Sequence, residues 1–257
     1  MYTKEQLKES LQKIGIGKGD MLMVHSSYKS LGGVEGGAKA VIEAFTEVLG
    51  ESGTLLMPAF TFDSVTFENP VFDYENSPNC VGYLGEYLRT EVKGVIRSIH
   101  ATHSICALGK RAEELTSGHE NDLTPVGENS PITKLAKAGG KILMLGCSPN
   151  HLTIMHGVEE TTPPDYVFNL ESPIEYTLKL KDRTIKQIAT RHLFEKDGIF
   201  YAQVYSRIIN LLDETEYSEC EVLDARSHLF DAKAIFEKGS KKIKEEPHYF
   251  IEKRIIK

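Results

Sequence analysis

"MLMVHSSYKSLGGVEGGAKAVIEAFTEVLGESGTLLMPAF", residues 21–60, sets two apolar runs on either side of an amphipathic one. MLMVH at 21–25 is short and apolar enough for a buried strand. In GGAKAVIEAFTEVLG, the residues Ala38, Val41, Ile42, Phe45, Val48 and Leu49 recur at three- and four-residue intervals, the helical period. GTLLMPAF then reads as a second buried strand. Strand, helix, strand in this order is a parallel crossover unit and argues for an α/β fold.

The 257 residues are enough for one large α/β domain or two small ones, and hydrophobic residues at 40% supply a sizeable core. MYTKEQLKESLQKIG reads as an amphipathic helix with no signal-peptide core behind its lysines. No apolar run nears the roughly 18–20 residues that span a bilayer. A cytoplasmic protein with no membrane partner is expected. A net charge of −7 and a pI of about 5.8 argue against a nucleic-acid partner, which needs a basic face, and suit a cationic substrate. Cysteines 80, 106, 147 and 220 form no CxxC pair, so free thiols are expected rather than a zinc ribbon.

Residues 61–80 are loop-like, with Pro70 and Pro78. Residues 82–91 read as a helix, and GVIRS and SICALG as short strands. Residues 131–138 read as a helix with Ser130 as its cap and Pro131 at its first position. KILMLG reads as another buried strand. PIEYTLKL and RTIKQIAT alternate apolar and polar residues, a half-exposed antiparallel pair turning near Asp182. Residues 199–213 and 225–238 read as helices. No linker divides the chain, so a single domain over 1–257 with an antiparallel insertion is expected.

Three segments carry candidate chemistry. VHSSYKSLGGVEGG, 24–37, places two serines and a lysine between a strand and a helix. Free amides and hydroxyls there can hold a phosphate, although the pattern is neither GxGxxG nor a Walker loop and a plain strand-to-helix turn competes. RSIHATHSICALG, 97–109, offers Arg97, His100 and His103 to an anion. If it is extended, residues three apart face opposite sides, which disfavours a shared metal. LGCSPNHLTIMHGVEE, 145–160, holds a cysteine, two histidines and two glutamates. A helix over 151–160 places His156 and Glu159 on one face, with Thr153 one turn earlier. That pair suits a general base near neutral pH. Cys147, His156 and Glu159 also fit a nucleophile, base and orienter. A solvated helix with a half-buried histidine is the plainer alternative.

Taken in order, VHSSYKSLG (24–32), GTLLMPAFT (53–61), RSIHATHSICALG (97–109), PVGENSP (125–131) and LGCSPNHLTIMHGVEE (145–160) resemble the aminoglycoside 3-N-acetyltransferase family, which has the antibiotic acetyltransferase fold and is distinct from GNAT enzymes. The fold class expected is α/β, a three-layer α/β/α arrangement with a mixed central sheet and an antiparallel β insertion in the C-terminal half. The resemblance implies acetyl transfer from acetyl-CoA to an amine of a cationic amino sugar, an aminoglycoside or a glycan- or nucleotide-linked sugar. It implies that Ser26, Ser27, Tyr28, Lys29 and Ser30 meet the pantetheine and pyrophosphate, and that Phe60, Arg97, Ser98 and Ser104 line the cofactor. Its TxxHxxE motif falls on Thr153, His156 and Glu159, making His156 the base and Glu159 its partner. Ala101 stands where the family usually has proline, and Leu152 where it has asparagine. These departures bear on the acceptor more than on the reaction.

Rival readings are a ping-pong transferase using Cys147, a non-catalytic CoA- or sugar-binding protein, and a metal hydrolase built on His100, His103, His151 and His156. No metal is expected. Neither the acceptor nor the oligomeric state follows from the sequence, and a homodimer is one open arrangement.

Overall fold

The Thr3 hydroxyl accepts from the Gln6 N–H while the Gln6 side chain takes the Thr3 N–H, a reciprocal cap that starts helix α1 (Lys4–Lys13). The computed structural model describes residues 1–168 and 172–256. After α1 come β1 (Met21–Ser26), α2 (Gly37–Leu49), β2 (Thr54–Pro58), β3 (Val71–Asp73), α3 (Tyr83–Glu91), β4 (Ile96–Arg97) and β5 (Ile105–Gly109). Next are α4 (Ala112–Thr116), α5 (Pro131–Lys137), β6 (Lys141–Leu145), α6 (Ile154–Thr161), β7 (Ile174–Lys179) and β8 (Thr184–Ala189). The last elements are β9 (Glu195–Lys196), β10 (Ile199–Gln203), β11 (Tyr217–Val222), β12 (Ala225–Asp231), α7 (Ala232–Glu245) and β13 (Ile251–Ile255).

Among the described residues the main sheet has seven strands in the order β11-β12-β6-β1-β2-β5-β4. β6, β1 and β2 run parallel, with Met23 paired to both Leu56 and Ile142. The flanking strands are antiparallel. The β1–α2–β2 crossover expected from residues 21–60 is therefore present, inside a mixed sheet. Alternate side chains of the parallel strands enter different cores, as strand geometry requires. Leu22, Val24, Leu55, Met57, Leu143 and Leu145 pack with α1, α2 and α3. Met23, Leu56, Ile142 and Met144 pack with α4, α5, α6 and α7. Helices thus cover both faces, which explains why these strands read as unbroken apolar runs. Each fully buried Leu or Phe contributes on the order of 1.5–3 kcal/mol.

Two regions read as helices are corrected. Residues 199–213 begin as β10, which pairs antiparallel with β13 from Ile199↔Ile255 to Gln203↔Ile251, and only 205–211 coil, as a 3₁₀ turn. Residues 225–231 form β12, held between β11 and β6, and the helix begins at Ala232 under the Asp231 cap. In both places pairing on a sheet overrides a short apolar pattern that fits either period. The two short strands expected at GVIRS and SICALG are present as β4 and β5, so the segment 97–109 is not one extended run. β4 and β5 form a hairpin whose loop folds back on His100, with the Thr102 and His103 N–H groups both donating to its Nδ1 at 3.2 Å.

The antiparallel pair at 173–190 is present as β7 and β8, with β3 parallel to β7. One side chain ties this small sheet to the histidine loop. Gln187, 2% exposed, accepts the Ala101 N–H at 3.0 Å and donates to the Glu120 and Asp122 carbonyls at 3.2 and 3.3 Å. A proline at 101, usual in the resembled family, could not make the first bond. Gln187→Ala strands buried polar groups on two segments, and the expected loss is about 1–3 kcal/mol of unfolding free energy, read from the urea midpoint at constant m-value.

Candidate active site

The C-terminal ends of β1 and β2 and the loop after β6 open into a cavity of about 660 Å³. Crevices at this end of parallel strands are where open α/β sheets bind ligands. Ser26 ends β1, Phe60 follows β2 and Cys147 follows β6; all three line the cavity. Gly82 and Gly85 at the start of α3, Thr153 just before α6 and His156 within it, and Arg191, His192 and Phe194 after β8 complete its walls with Tyr205.

α6 brings its chemistry close because Gly157 lets it. A Cβ there would lie 2.9 Å from the Val126 side chain and 3.2 Å from Phe236. The helical three-residue spacing then directs His156 and Glu159 to one side. Glu159 is fully buried. Tyr205 donates its O–H to Glu159 Oε2 at 2.7 Å, and Tyr166 donates to Oε1 at 3.3 Å. Burial first, then the neighbouring Glu159 charge, pushes the Tyr205 phenol well above its usual range, so it keeps that proton. Its oxygen lies 3.0 Å from His156 Nδ1, whereas Glu159 Oε2 lies 3.5 Å from the same nitrogen. With the phenol proton committed to Glu159, Nδ1 must be the donor to Tyr205. Nε2 is left with its lone pair. The direct His156–Glu159 contact expected from spacing is thus bridged by Tyr205. That residue fell in a segment misread as a helix, and nothing in its sequence surroundings marks it.

A second carboxylate–imidazole pair stands alongside. His192 stacks on His156 with ring centroids 4.3 Å apart, and its Nε2 lies 2.9 Å from Glu160 Oε1. Burial pushes Glu160 up to about 8 and His192 well down, so the pair sits without net charge. The His156 ring also meets His103 edge-on at 6.2 Å and Phe194 at 5.6 Å. Phe194 holds φ at 50°, a conformation that non-glycine residues adopt only under strong surrounding restraint.

The remaining expected residues divide. Ser26, Phe60, Thr153 and His156 line the cavity, with Glu159 behind. Ser27 and Ser30 bond to each other at 2.8 Å, Tyr28 packs on Tyr83 with ring centroids 5.3 Å apart, and Lys29 is exposed. Arg97, Ser98 and Ser104, expected to line the cofactor, are instead buried scaffold outside the lining. Arg97 gives its donors to the Tyr74, Ser77 and Ala59 carbonyls and to Ser104 Oγ, all at 2.9–3.0 Å. A guanidinium buried without a carboxylate needs this many acceptors, and burial lowers its pKa to about 10. Ser98 Oγ pairs with His119 Nδ1 at 2.9 Å. His100 stacks on His119 at 4.6 Å, away from the lining. Among the described residues no three His, Cys, Asp or Glu side chains converge as metal ligands.

Cys147 lines the cavity, but its thiol donates to the His25 carbonyl at 3.4 Å and burial pushes its pKa up to about 12. His25 is buried with Nε2 unpartnered, and its pKa falls to about 4. Among the described residues no helix is long and apolar enough to cross a membrane.

A family model described as aminoglycoside 3-N-acetyltransferase matches residues 23–244. The aminoglycoside N(3)-acetyltransferase III of Salmonella sp is 36% identical over 62% of this chain and 60% of that protein. The SPbeta prophage-derived aminoglycoside N(3')-acetyltransferase-like protein YokD of Bacillus subtilis (strain 168) is 30% identical over 76% of this chain and 79% of that protein. The solved structure of AAC-IIIb, binary with CoASH, superposes with a TM-score of 0.79 at 27% identity, covering 95% of this chain and 96% of that one. Aminoglycoside acetyltransferase AAC(3)-Xa gives a TM-score of 0.81 at 27% identity, over 95% and 93% of the two chains.

Burial leaves six histidines, His25, His100, His103, His119, His192 and the less deeply buried His228, below their ordinary pKa. The unfolded chain takes up protons below about pH 6.5 that the folded state refuses, so stability is lost as pH falls through that value. The unfolding free energy from urea titrations should decline from pH 7 to pH 5 with a slope above about 1.4 kcal/mol per pH unit, since more than one proton is involved; a flat profile would contradict the burial of these rings. Cys147, with a pKa of about 12, should react with iodoacetamide at pH 7.5 on the order of a thousandfold more slowly than a free thiol, followed by mass spectrometry.

Proposed function

Because the chain belongs to the aminoglycoside 3-N-acetyltransferase family, we propose that it moves acetyl from acetyl-CoA to the amine of an amino sugar by direct transfer, with His156 Nε2 as the base. The observation that carries this is the chain of hydrogen bonds from His156 Nδ1 through Tyr205 to Glu159. It orients the ring, sets the tautomer, and offers a buried negative charge when the imidazole takes a proton.

Acetyl-CoA supplies an activated acyl group as its thioester. The acceptor arrives as an ammonium, and the products are an amide, a thiol and one proton released to solvent. His156 accepts a proton from the nitrogen at Nε2 and can return one to the departing sulfur. Its charge is transient, shared with Glu159 through Tyr205. His25, Ser26 and Phe60 would hold the thioester arm: the unpartnered His25 Nε2 is a buried polar atom awaiting a ligand hydrogen bond, and Gly82 leaves space beside Ser26. The turn at 27–30, with Lys29 exposed, would meet the phosphates. The likeness to AAC-IIIb, a CoASH-bound protein, supports this assignment. The high pKa of Cys147 and its backbone partner favour direct transfer over a thiol relay. We assign the whole chain, 1–257, to this one activity; light scattering decides between a monomer and the homodimer left open by the sequence.

His156→Ala should lower kcat by about 10²–10⁴-fold while calorimetry shows acetyl-CoA affinity nearly intact. Tyr205→Phe removes the bridge and should cost kcat about tenfold or more with little change in KM. Glu159→Gln should fall between the two. Full activity in His156→Ala would remove His156 as the base, and full activity in Tyr205→Phe would remove the bridge from the mechanism.

A further inference from the structure

A polycation entering a protein cavity must exchange the water around each ammonium for protein acceptors, and carboxylates are the usual ones. Among the described residues, the cavity beside His156 is lined by no aspartate or glutamate. The two carboxylates nearest the chemistry are already spent. Glu159 is fully buried and accepts from Tyr205 and Tyr166. Glu160 accepts from the Val126 N–H at 3.0 Å and pairs with His192. Asp63, Glu68 and Glu195 are exposed and outside the lining.

The lining does contain a permanent positive charge, Arg191. Its Nη1 and Nη2 donate to the Val65 and Phe62 carbonyls at 2.8 and 2.9 Å, which fix the guanidinium at the wall. Those bonds satisfy donors without neutralising charge; among the described residues no carboxylate comes within ion-pair distance of Arg191, and the exposed Glu68 feels its charge only from farther off. The other walls are aromatic: Phe60, Phe62 and Phe194, with the stacked rings of His156 and His192. Such surfaces accept the apolar face of a sugar ring. A guanidinium without a carboxylate at ion-pair distance is matched by phosphate or carboxylate.

Resting on the acetyl-transfer reading above, we infer that the acceptor is a mono-amino sugar bearing an anionic group, phosphate or carboxylate, which Arg191 meets while His156 receives the amine. Among the described residues the lining offers no carboxylate to the several ammonium groups of a polyamine aminoglycoside. The chain's overall charge of −7 does not bear on this, because none of its negative residues among those described lines the cavity.

The test uses the intact protein with acetyl-CoA and thiol release as readout. Glucosamine 6-phosphate and glucosaminuronic acid are compared with glucosamine and with gentamicin. At least one anionic sugar should exceed glucosamine by tenfold or more in kcat/KM, and which one does so separates phosphate from carboxylate. Gentamicin should rank last. Arg191→Gln should bring the anionic-to-neutral ratio close to one, while Arg191→Lys, which keeps the charge, should retain most of it. Gentamicin ranking first would overturn the inference. So would an Arg191→Gln protein that loses acetyl-CoA affinity but keeps its acceptor ranking, since Arg191 would then serve the cosubstrate. Calorimetry of the same acceptors with CoA-loaded protein ranks binding independently of turnover. The expected binding order without thiol release would support the inference and count against acetyl transfer.

Discussion

A carboxylate with no solvent around it dictates much of this architecture. Glu159 cannot hold its charge in the interior unless each oxygen finds a donor. The donors come from separate parts of the chain: Tyr166 beyond α6, and Tyr205 in the turn after β10. Satisfying one side chain therefore brings the C-terminal small sheet against α6. The same phenol that satisfies the carboxylate faces His156, so a structural requirement and a catalytic one are met by a single O–H group. Removing either partner would leave the other unsatisfied in a low-dielectric setting, where the penalty is largest.

Arg97 is a buried cation outside the cavity lining. It has no carboxylate partner among the described residues and is held by carbonyls from the strand-end and loop segments it joins. Its guanidinium also lies over the Phe72 ring at 4.7 Å. This buried charge ties Ala59, the neighbour of Phe60 in the lining, to the loop at 74–77 and to Ser104. That accounts for an Arg–Ser pattern that looks, in sequence, like a phosphate contact and serves instead to shape the loop carrying His100 and His103.

What could be read in advance follows the range of the interactions involved. The β1–α2–β2 unit was legible because both its periodicities lie within residues 21–60 and both faces of its strands are covered by helices. His156 and Glu159 were legible because three residues along a helix is a local relation. Tyr205 and His192 were not, since they reach the site from other sheets and have no local pattern. β12 does not show itself in its own residues because its pairing partners, β6 and β11, decide its state, whereas Asp231, the cap of the following helix, is a local signal. Arg97 was assigned to a ligand because residue type and neighbours do not report burial.

Gln187 sets limits on how this chain can change in length. Its amide reaches the Ala101 N–H and the carbonyls at 120 and 122 only in the present register of β8 against β7, where it lies opposite Tyr176. Strand side chains alternate, so a one-residue slip would turn the amide to the opposite face and release the histidine loop. Insertions are therefore tolerable in the exposed turn at 181–183, where the backbone serves only to reverse direction, and damaging within β8 itself. A hairpin that looks like peripheral decoration is the ruler against which one wall of the cavity is measured.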